Sequence, residues 1–214
     1  MDATNAHRAT GFLGAVATAW VLPIALNQLP TAVADPCPDV EVVFARGTTE
    51  PPGVGGVGQA FVDSLRSQLS GRSVGVYAVE YPASRDFSSS TPAGANDASG
   101  HIQSMATNCP STRMVLGGYS QGAAVIDIST TTMPPQVSDH VAAAALFGGP
   151  KSAFADRLSP GPMPTIGPLY AAKTIDLCVP NDPICSNGVD MRAHGAYVQT
   201  GMVNQAAGFA ASRL

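Results

Sequence analysis

The sequence has 214 residues, of which 45% are hydrophobic and 12% charged, and its formal net charge at pH 7 is −4. This length fits one domain with a sizeable core. A mildly acidic chain without a run of basic residues argues against a nucleic-acid-binding protein.

The first 34 residues predict a secretory signal peptide. Arg8 supplies positive charge, Ala9 to Leu26 is mostly apolar, and Ala32-Val33-Ala34 has the small-x-small form of a cleavage site. A membrane anchor is the alternative, but the apolar run is short for a span and is broken by Pro23 and two glycines. We therefore expect a mature domain of residues 35–214, outside the cell or associated with its envelope, with no transmembrane segment after cleavage.

The rest of the chain alternates between short apolar segments and helical patterns. Five apolar segments predict buried strands: Val40–Ala45, Val74–Val79, Met114–Tyr119, Val141–Phe147 and Thr174–Cys178. Helices are predicted over Val57–Leu69, Ala95–Asn108, 121–132 and 194–212, and loops over 82–94, 148–170 and 179–193. This alternation predicts an α/β fold with a parallel sheet covered on both faces, whose site lies at the carboxyl ends of the strands.

A serine motif follows the third predicted strand. Gly118-Tyr119-Ser120-Gln121-Gly122 has the form G-x-S-x-G between a strand and a helix, which is the setting of a nucleophile elbow. A side chain two residues before or after the serine would collide with the backbone of so tight a turn, and glycine avoids this. Ser120 is the candidate nucleophile, and an ordinary glycine-rich turn with an incidental serine is the alternative.

All four cysteines lie after the predicted cleavage site, at Cys37, Cys109, Cys178 and Cys185. An even number in an exported protein predicts two disulfides. Three pairings are possible, and the closeness of Cys178 and Cys185 favours a short loop between them, which leaves Cys37 with Cys109. A zinc site is the alternative, but no C-x-x-C pair accompanies these cysteines.

A serine nucleophile needs a base, and three histidines follow the predicted signal. In folds with this elbow, the chain order is serine, acid, histidine, which excludes His101. His140 would enter the fourth strand at its amino end, away from the site. His194 is therefore the candidate base.

The acid must lie between Ser120 and His194. Asp182 follows the fifth predicted strand inside the Cys178–Cys185 loop, which would hold its carboxylate still against the imidazole. Asp190 is the fallback. The remaining aspartates are predicted to lie elsewhere: Asp127 in a helix, Asp139 at the wrong end of the sheet, Asp176 in a strand and Asp156 in a crossing loop.

An oxyanion hole needs backbone N–H groups aimed at the developing charge. Gln121, which follows the candidate nucleophile, would supply one of them. Thr48, after the first strand, could supply the second, but a threonine that caps a helix is an equally good interpretation.

Four segments together resemble the cutinase family, most closely its secreted mycobacterial and actinobacterial members. The first three are Phe44-Ala45-Arg46-Gly47-Thr48-Thr49-Glu50, Gly117 to Ala123 and Leu146-Phe147-Gly148. The fourth runs from Cys178 to Asp182-Pro183-Ile184-Cys185 and is followed by His194. The resemblance spans nearly all of the mature chain in the same order. Fungal cutinases usually carry serine where this chain has Thr48, which adds a methyl group beside the oxyanion.

The resemblance implies a small α/β-hydrolase with a five-stranded parallel sheet, no large lid, and the disulfides Cys37–Cys109 and Cys178–Cys185. It implies a Ser120–Asp182–His194 triad with an oxyanion hole from Thr48 and Gln121, and no metal or cofactor. Val189 and Met191, with residues 82–94, are candidates for the lips of the acyl crevice, for which ordinary loop packing is the alternative.

The expected function is hydrolysis of small or polymeric carboxylic esters with short-to-medium acyl chains, including esters at a lipid interface. The enzyme is expected to be a monomer. Two alternatives use the same site: a carbohydrate esterase acting on acetylxylan, and acyl transfer to a sugar or lipid hydroxyl. A third belongs to another class, an exported lipid-binding or surface protein with a vestigial triad.

Overall fold

A five-stranded sheet forms the centre of the chain in a computed structural model that describes Met1, residues 37–159 and residues 163–214. The strands are β1 (Val40–Ala45), β2 (Val74–Ala78), β3 (Arg113–Tyr119), β4 (Val141–Phe147) and β5 (Thr174–Leu177). All neighbours are parallel, in the order β2-β1-β3-β4-β5. Each predicted strand is confirmed to within one residue at either end. The predicted signal peptide, apart from Met1, lies outside the described residues.

Helices cover both faces of this sheet, as predicted. They are α1 (Gly55–Gln68), α2 (Phe87–Asn108), α3 (Gln121–Thr132), α4 (Pro168–Ala171), α5 (Met191–His194) and α6 (Met202–Ala211). Two short 3-10 segments precede and follow β4 in the chain, Pro135–His140 and Ala155–Arg157. Among the described helices, none is both long and apolar enough to cross a bilayer.

Two apolar cores lie on the two faces. Phe44, Phe61 and Phe147 pack together between the sheet and helices α1 and α6. On the other face, Ile102 of α2 and Ile126 of α3 lie in one cluster with strand residues such as Leu116. The side chains of the central strands β1, β3 and β4 are buried on both faces, which explains why these strands are largely apolar in the sequence, while the edge strands β2 and β5 are only partly buried.

Helix α2 begins at Phe87, eight residues before the predicted start at Ala95, so the prediction of a loop over 82–94 is wrong for its second half. Ser90 and Thr91 are buried in the first turns, and a Cβ at Gly94 would press on Val125 and Tyr81. Tertiary packing therefore stabilises a Ser- and Pro-containing segment that has low intrinsic helix propensity.

The last helix was also predicted too early. It begins at Met202 and not at residue 194, because the chain turns through residues 195–201 and Gly201 adopts a left-handed φ of 76°. His194 instead ends the short helix α5.

Both predicted disulfides are present, Cys37–Cys109 and Cys178–Cys185. The first joins the segment before β1 to the end of α2. The second closes a small loop directly after β5. The two disulfides thus lie at opposite ends of the parallel sheet.

Candidate active site

Ser120 lies at the sharp turn between β3 and α3, with φ 55° and ψ −118°. This is an unfavourable backbone conformation for a residue with a side chain. A Cβ at Gly118 would collide with the Gly122 carbonyl, and a Cβ at Gly122 would collide with the Ala45 carbonyl. The glycines of the motif are therefore required by the turn, and the strain is concentrated at the residue whose hydroxyl the turn presents.

Ser120, His194 and Asp182 form one hydrogen-bonded line, although 74 residues separate the serine from the histidine. Ser120 Oγ lies 2.9 Å from His194 Nε2, and His194 Nδ1 lies 2.8 Å from Asp182 Oδ2. Asp182 is completely buried, while Ser120 is only partly buried. The line therefore runs from a dry carboxylate to a hydroxyl that solvent can reach.

The Asp182 carboxylate is held by two further donors. Its Oδ1 accepts the Ile184 N–H at 2.8 Å, and its Oδ2 accepts the Tyr197 hydroxyl at 2.6 Å. The Asp182 carbonyl also accepts the N–H and the hydroxyl of Ser186 at 3.0 and 2.6 Å. Ile184 inside the small disulfide loop, together with Ser186 and Tyr197 after it, thus holds both the backbone and the side chain of Asp182.

Two tyrosines enclose the imidazole of His194. Tyr119 stacks on it at 5.1 Å between ring centroids, and its hydroxyl donates to the His194 carbonyl at 2.7 Å. Tyr197 meets the same ring edge-on at 6.4 Å. Burial raises the pKa of Tyr119 to about 12. The pKa of Tyr197 is also raised above its ordinary value, mainly by burial and in addition by the hydrogen bond to Asp182. Both hydroxyls therefore remain protonated donors at neutral pH.

Sequence reasoning did not identify these two tyrosines. Tyr197 lies in the segment 194–212 that was predicted as the last helix, and Tyr119 is a variable position of the serine motif. A usable signal was present for Tyr197, which follows His194 by three residues and would share a helix face with it. Its bond to Asp182, by contrast, depends on a loop that precedes it in the chain.

Thr48 lines the same cavity as Ser120, and Gln121 follows Ser120 in the chain. Gln121 is the first residue of α3, and the first N–H groups of a helix lack intrahelical partners. Thr48 is half-buried and makes no backbone N–H bond within the described residues. Both N–H groups are consistent with a site for an anionic oxygen at the start of α3.

The loop that carries Thr48 is fixed by a buried arginine and a glutamate that sequence reasoning also missed. Arg46 donates to the carbonyls of Glu50, Val79 and Tyr81 at 2.9, 3.3 and 2.6 Å. Glu50 accepts the N–H groups of Gly47 and Gly56 at 2.6 and 2.8 Å. Because both ends of the loop are held, the position of Thr48 is set before any ligand arrives.

A cavity of about 410 Å³ opens beside Ser120. Its walls are mainly apolar, from Phe87, Leu158, Ile184 and Met191. Met191, a predicted lip residue, therefore lies in the wall. Val189, the other predicted lip, is highly exposed and does not line this cavity.

The alternatives to Asp182 and His194 are engaged elsewhere. Asp190 accepts from the N–H and guanidinium of Arg192 at 3.0 Å, and this hydrogen bonding holds its pKa below the usual value. His101 pairs with Glu41 at 3.0 Å and stacks on Tyr77. Neither side chain joins the line at Ser120.

One group of potential metal ligands occurs among the described residues, namely Cys178, Asp182 and Cys185, whose ligand atoms lie within 4.8 Å of one another. Both sulfurs are joined in the disulfide. A disulfide lacks the thiolates that bind zinc. The chemistry of this donor set therefore does not fit a zinc centre.

Comparison with known proteins gives a consistent result over the whole described domain. A family model described as cutinase matches residues 36–214. Carboxylesterase Culp1 of Mycobacterium tuberculosis is 60% identical over 200 residues, which cover 93% of this chain and 92% of that protein. Phospholipase Culp4 of the same organism is 52% identical over 219 residues, covering 98% and 93%. The structure of Trichoderma reesei cutinase with a phosphonate inhibitor has a TM-score of 0.69 and 36% identity, covering 83% of this chain and 77% of that chain.

Proposed function

This chain belongs to the cutinase family, and we propose that Ser120, His194 and Asp182 are the catalytic triad of its ester hydrolysis. The chain is a serine esterase that acts on carboxylic esters. The observation that carries the triad assignment is the continuous line of 2.8 and 2.9 Å contacts from buried Asp182 through His194 to Ser120.

In the acylation half of the reaction, His194 Nε2 accepts the proton of the Ser120 hydroxyl as Oγ attacks the ester carbonyl carbon. The carbonyl oxygen becomes an oxyanion, which the N–H groups of Thr48 and Gln121 stabilise. When the tetrahedral intermediate collapses, the C–O bond to the alcohol breaks, and His194 donates its proton to the departing alkoxide. Asp182 stabilises the imidazolium that forms between these two transfers.

Deacylation reverses these roles with water in place of the alcohol. His194 removes a proton from water, and the hydroxide attacks the acyl-enzyme carbonyl. The second tetrahedral intermediate collapses by breaking the bond to Ser120 Oγ, which takes the proton back from His194. The products are a carboxylic acid and the free enzyme. A sugar or lipid hydroxyl that replaced water here would give acyl transfer.

The crevice supports short-to-medium acyl chains as substrates. A cavity of about 410 Å³ with apolar walls can remove a short alkyl chain from water. Leu158 and Met191 in the crevice wall, and Val189 two residues before Met191, have exposed apolar side chains, which favour activity at a lipid interface. We propose that the enzyme is a monomer that acts outside the cell, where its two disulfides would persist.

The decisive experiment replaces Ser120 by alanine in the purified mature protein. Hydrolysis of p-nitrophenyl butyrate should fall by several orders of magnitude. A fluorophosphonate should label the parent protein stoichiometrically and leave the variant unlabelled. Ser67→Ala, which removes an exposed hydroxyl on α1, is the matched control and should keep full activity. Full turnover by Ser120→Ala would exclude the mechanism, and an unreactive parent would indicate a vestigial site.

The substrate range needs a separate measurement. A series of p-nitrophenyl esters from two to sixteen acyl carbons should give the highest kcat/KM among the shorter members, because longer chains exceed the enclosed volume of the crevice. Product analysis with a competing alcohol would reveal acyl transfer, and release of acetate from acetylated xylan would indicate a carbohydrate esterase.

A further inference from the structure

We propose that Arg85 selects esters that carry an anionic group close to the scissile bond, an inference that rests on the proposed role of Ser120. Arg85 lies in the wall of the crevice together with Thr48, Phe87 and Ser120. Among the described residues of that wall, Arg85 alone carries a permanent charge. A single cation in an apolar crevice gives that crevice a preferred substrate charge.

The backbone on which Arg85 stands is tied to both sides of the oxyanion site. The carbonyl of Ala83 accepts the Thr49 N–H at 2.7 Å, next to Thr48. The carbonyl of Ser84 accepts the side-chain amide of Gln121 at 3.1 Å. The two residues that precede Arg85 are thus bonded to the two segments that would hold the ester oxygen, and the base of the arginine is fixed relative to the reacting carbonyl.

The guanidinium of Arg85 is free to bind a substrate. Within the described residues it makes no hydrogen bond or ion pair, and its side chain is exposed. The adjacent carboxylate, Asp86, is occupied by the hydroxyls of Ser88 and Ser89, both at 2.6 Å. Asp86 therefore faces hydroxyls of the first turn of α2 and forms no ion pair with Arg85 among the described residues.

Other arginines of the chain show what a structural role looks like. Arg46 is buried, and its guanidinium nitrogens donate to three backbone carbonyls. Arg192 is exposed, but it forms an ion pair with Asp190 at 3.0 Å. Among the described residues Arg85 has neither kind of partner, although it lies in the wall of the cavity beside the nucleophile.

A guanidinium can donate two parallel hydrogen bonds to two oxygens of a carboxylate or a phosphate. The substrates that would use Arg85 are therefore half-esters of dicarboxylic acids, with the charge on the acyl side, or glycerophospholipids, with the phosphate on the alcohol side. Neutral esters would enter the same crevice without this contact. The selectivity expected from one partly exposed charged hydrogen bond is about fivefold to tenfold in kcat/KM.

The test measures selectivity in two arms. The first compares p-nitrophenyl hydrogen glutarate with p-nitrophenyl pentanoate, which have equal acyl length and differ in the terminal carboxylate. The second compares dihexanoyl phosphatidylglycerol with dihexanoylglycerol below their micellar concentrations. In each arm, the ratio of kcat/KM for the anionic substrate to that for the neutral one is determined for the parent protein and for Arg85→Gln.

We expect Arg85→Gln to lower this ratio by about fivefold to tenfold in at least one arm, while kcat/KM for the neutral ester changes by less than about twofold. The arm that responds identifies the side of the ester that carries the charge. Salt at 0.5 M should lower the ratio of the parent protein and leave that of the variant unchanged. Arg192→Gln is the matched control and should leave the ratio unaltered in both arms.

Two results would overturn the proposal. One is an unchanged ratio in both arms. The other is an equal loss on the neutral and anionic substrates, which would mean that Arg85 supports the loop and not the substrate. Because retained turnover of the neutral ester shows that the triad works, failure of this proposal is distinguishable from failure of the proposed mechanism.

Discussion

The Tyr197 hydroxyl donates a 2.6 Å hydrogen bond to Oδ2 of Asp182, the same oxygen that lies 2.8 Å from His194 Nδ1. Both Tyr197 and Asp182 are completely buried. Tyr197 therefore shares the negative charge that would otherwise act on the imidazole alone. It also holds the carboxylate in the orientation that His194 requires.

Tyr197→Phe should lower kcat and move the acid limb of the pH–rate profile to higher pH. Without the hydroxyl, a larger part of the negative charge of Asp182 would act on His194, which favours the protonated, inactive imidazole. We expect a loss of about tenfold in kcat, since one buried hydrogen bond to a charged group is removed. The KM for p-nitrophenyl butyrate should stay within about twofold, since Tyr197 does not line the crevice.

The control for this change is Tyr170→Phe. Tyr170 is also buried, but its hydroxyl has no partner among the described residues, and it belongs to the core on the other face of the sheet. That variant should leave the acid limb in place. An unshifted acid limb in Tyr197→Phe would contradict a role in setting the charge on His194.

The strands were predictable because each is a short segment rich in apolar residues, of a length that fits a buried strand. The helix ends were less predictable. The first two turns of α2 depend on the burial of Ser90 and Thr91, and the late start of α6 follows a turn that brings Tyr197 to Asp182. Such contacts are made with segments distant in sequence, so local composition does not encode them.

The site was more predictable than the helix ends. The order of Ser120, Asp182 and His194 and the nearby cysteine pair left few alternatives. The supporting residues were not predictable in the same way. Arg46 donates to carbonyls more than 30 residues away, and the exposure of Arg85 depends on how its loop meets Gln121.

Gly148→Ala should damage the site more than the fold. Gly148 has a left-handed φ of 59°, and an added Cβ would lie 2.9 Å from His194 Cε1 and 2.7 Å from the Tyr197 hydroxyl. We expect a loss of at least about tenfold in kcat because the imidazole must shift. The left-handed backbone should also cost about 1 kcal/mol of unfolding free energy.

Gly201→Ala separates these two effects. Gly201 has a φ of 76°, but nothing lies within 4 Å of its added Cβ. It should lose a similar unfolding free energy and keep its activity. Equal activity in the two variants, measured with p-nitrophenyl butyrate, would contradict the crowding of His194.

The two disulfides should separate stability from catalysis. Removal of Cys178–Cys185 by a double alanine variant should cost about 2.5 kcal/mol of unfolding free energy, and removal of Cys37–Cys109 about 4 kcal/mol, because the second closes a longer loop. The first change frees the loop that carries Asp182, so kcat should fall several-fold. The second lies at the other end of the sheet and should leave kcat unchanged below the melting temperature. A larger loss of kcat in the more destabilised variant would contradict this assignment.

Asp127 should make the protein less stable as the pH rises through the weakly acidic range. Its carboxyl group is on α3 with 3% exposure, and its Oδ1 has no partner among the described residues. Burial raises its pKa to about 7, although the positive charge of Lys151 opposes the shift. Lys151 itself contacts Asp176 of β5, so it does not neutralise Asp127 directly.

The direction of the effect follows from the proton balance. Between about pH 4 and pH 7, the folded state holds the Asp127 proton that the unfolded state has lost, so unfolding free energy falls as pH rises. The stabilisation is complete below about pH 4 and is lost once the pH exceeds about 7. Asp127→Asn cannot ionise and should lack this slope, so its unfolding free energy relative to the parent protein should rise by about 2 to 3 kcal/mol from pH 4.5 to pH 8. Urea unfolding at several pH values measures the difference in unfolding free energy between the variant and the parent protein, and Asp156→Asn serves as the control. A difference that does not vary with pH would show that Asp127 is ionised throughout.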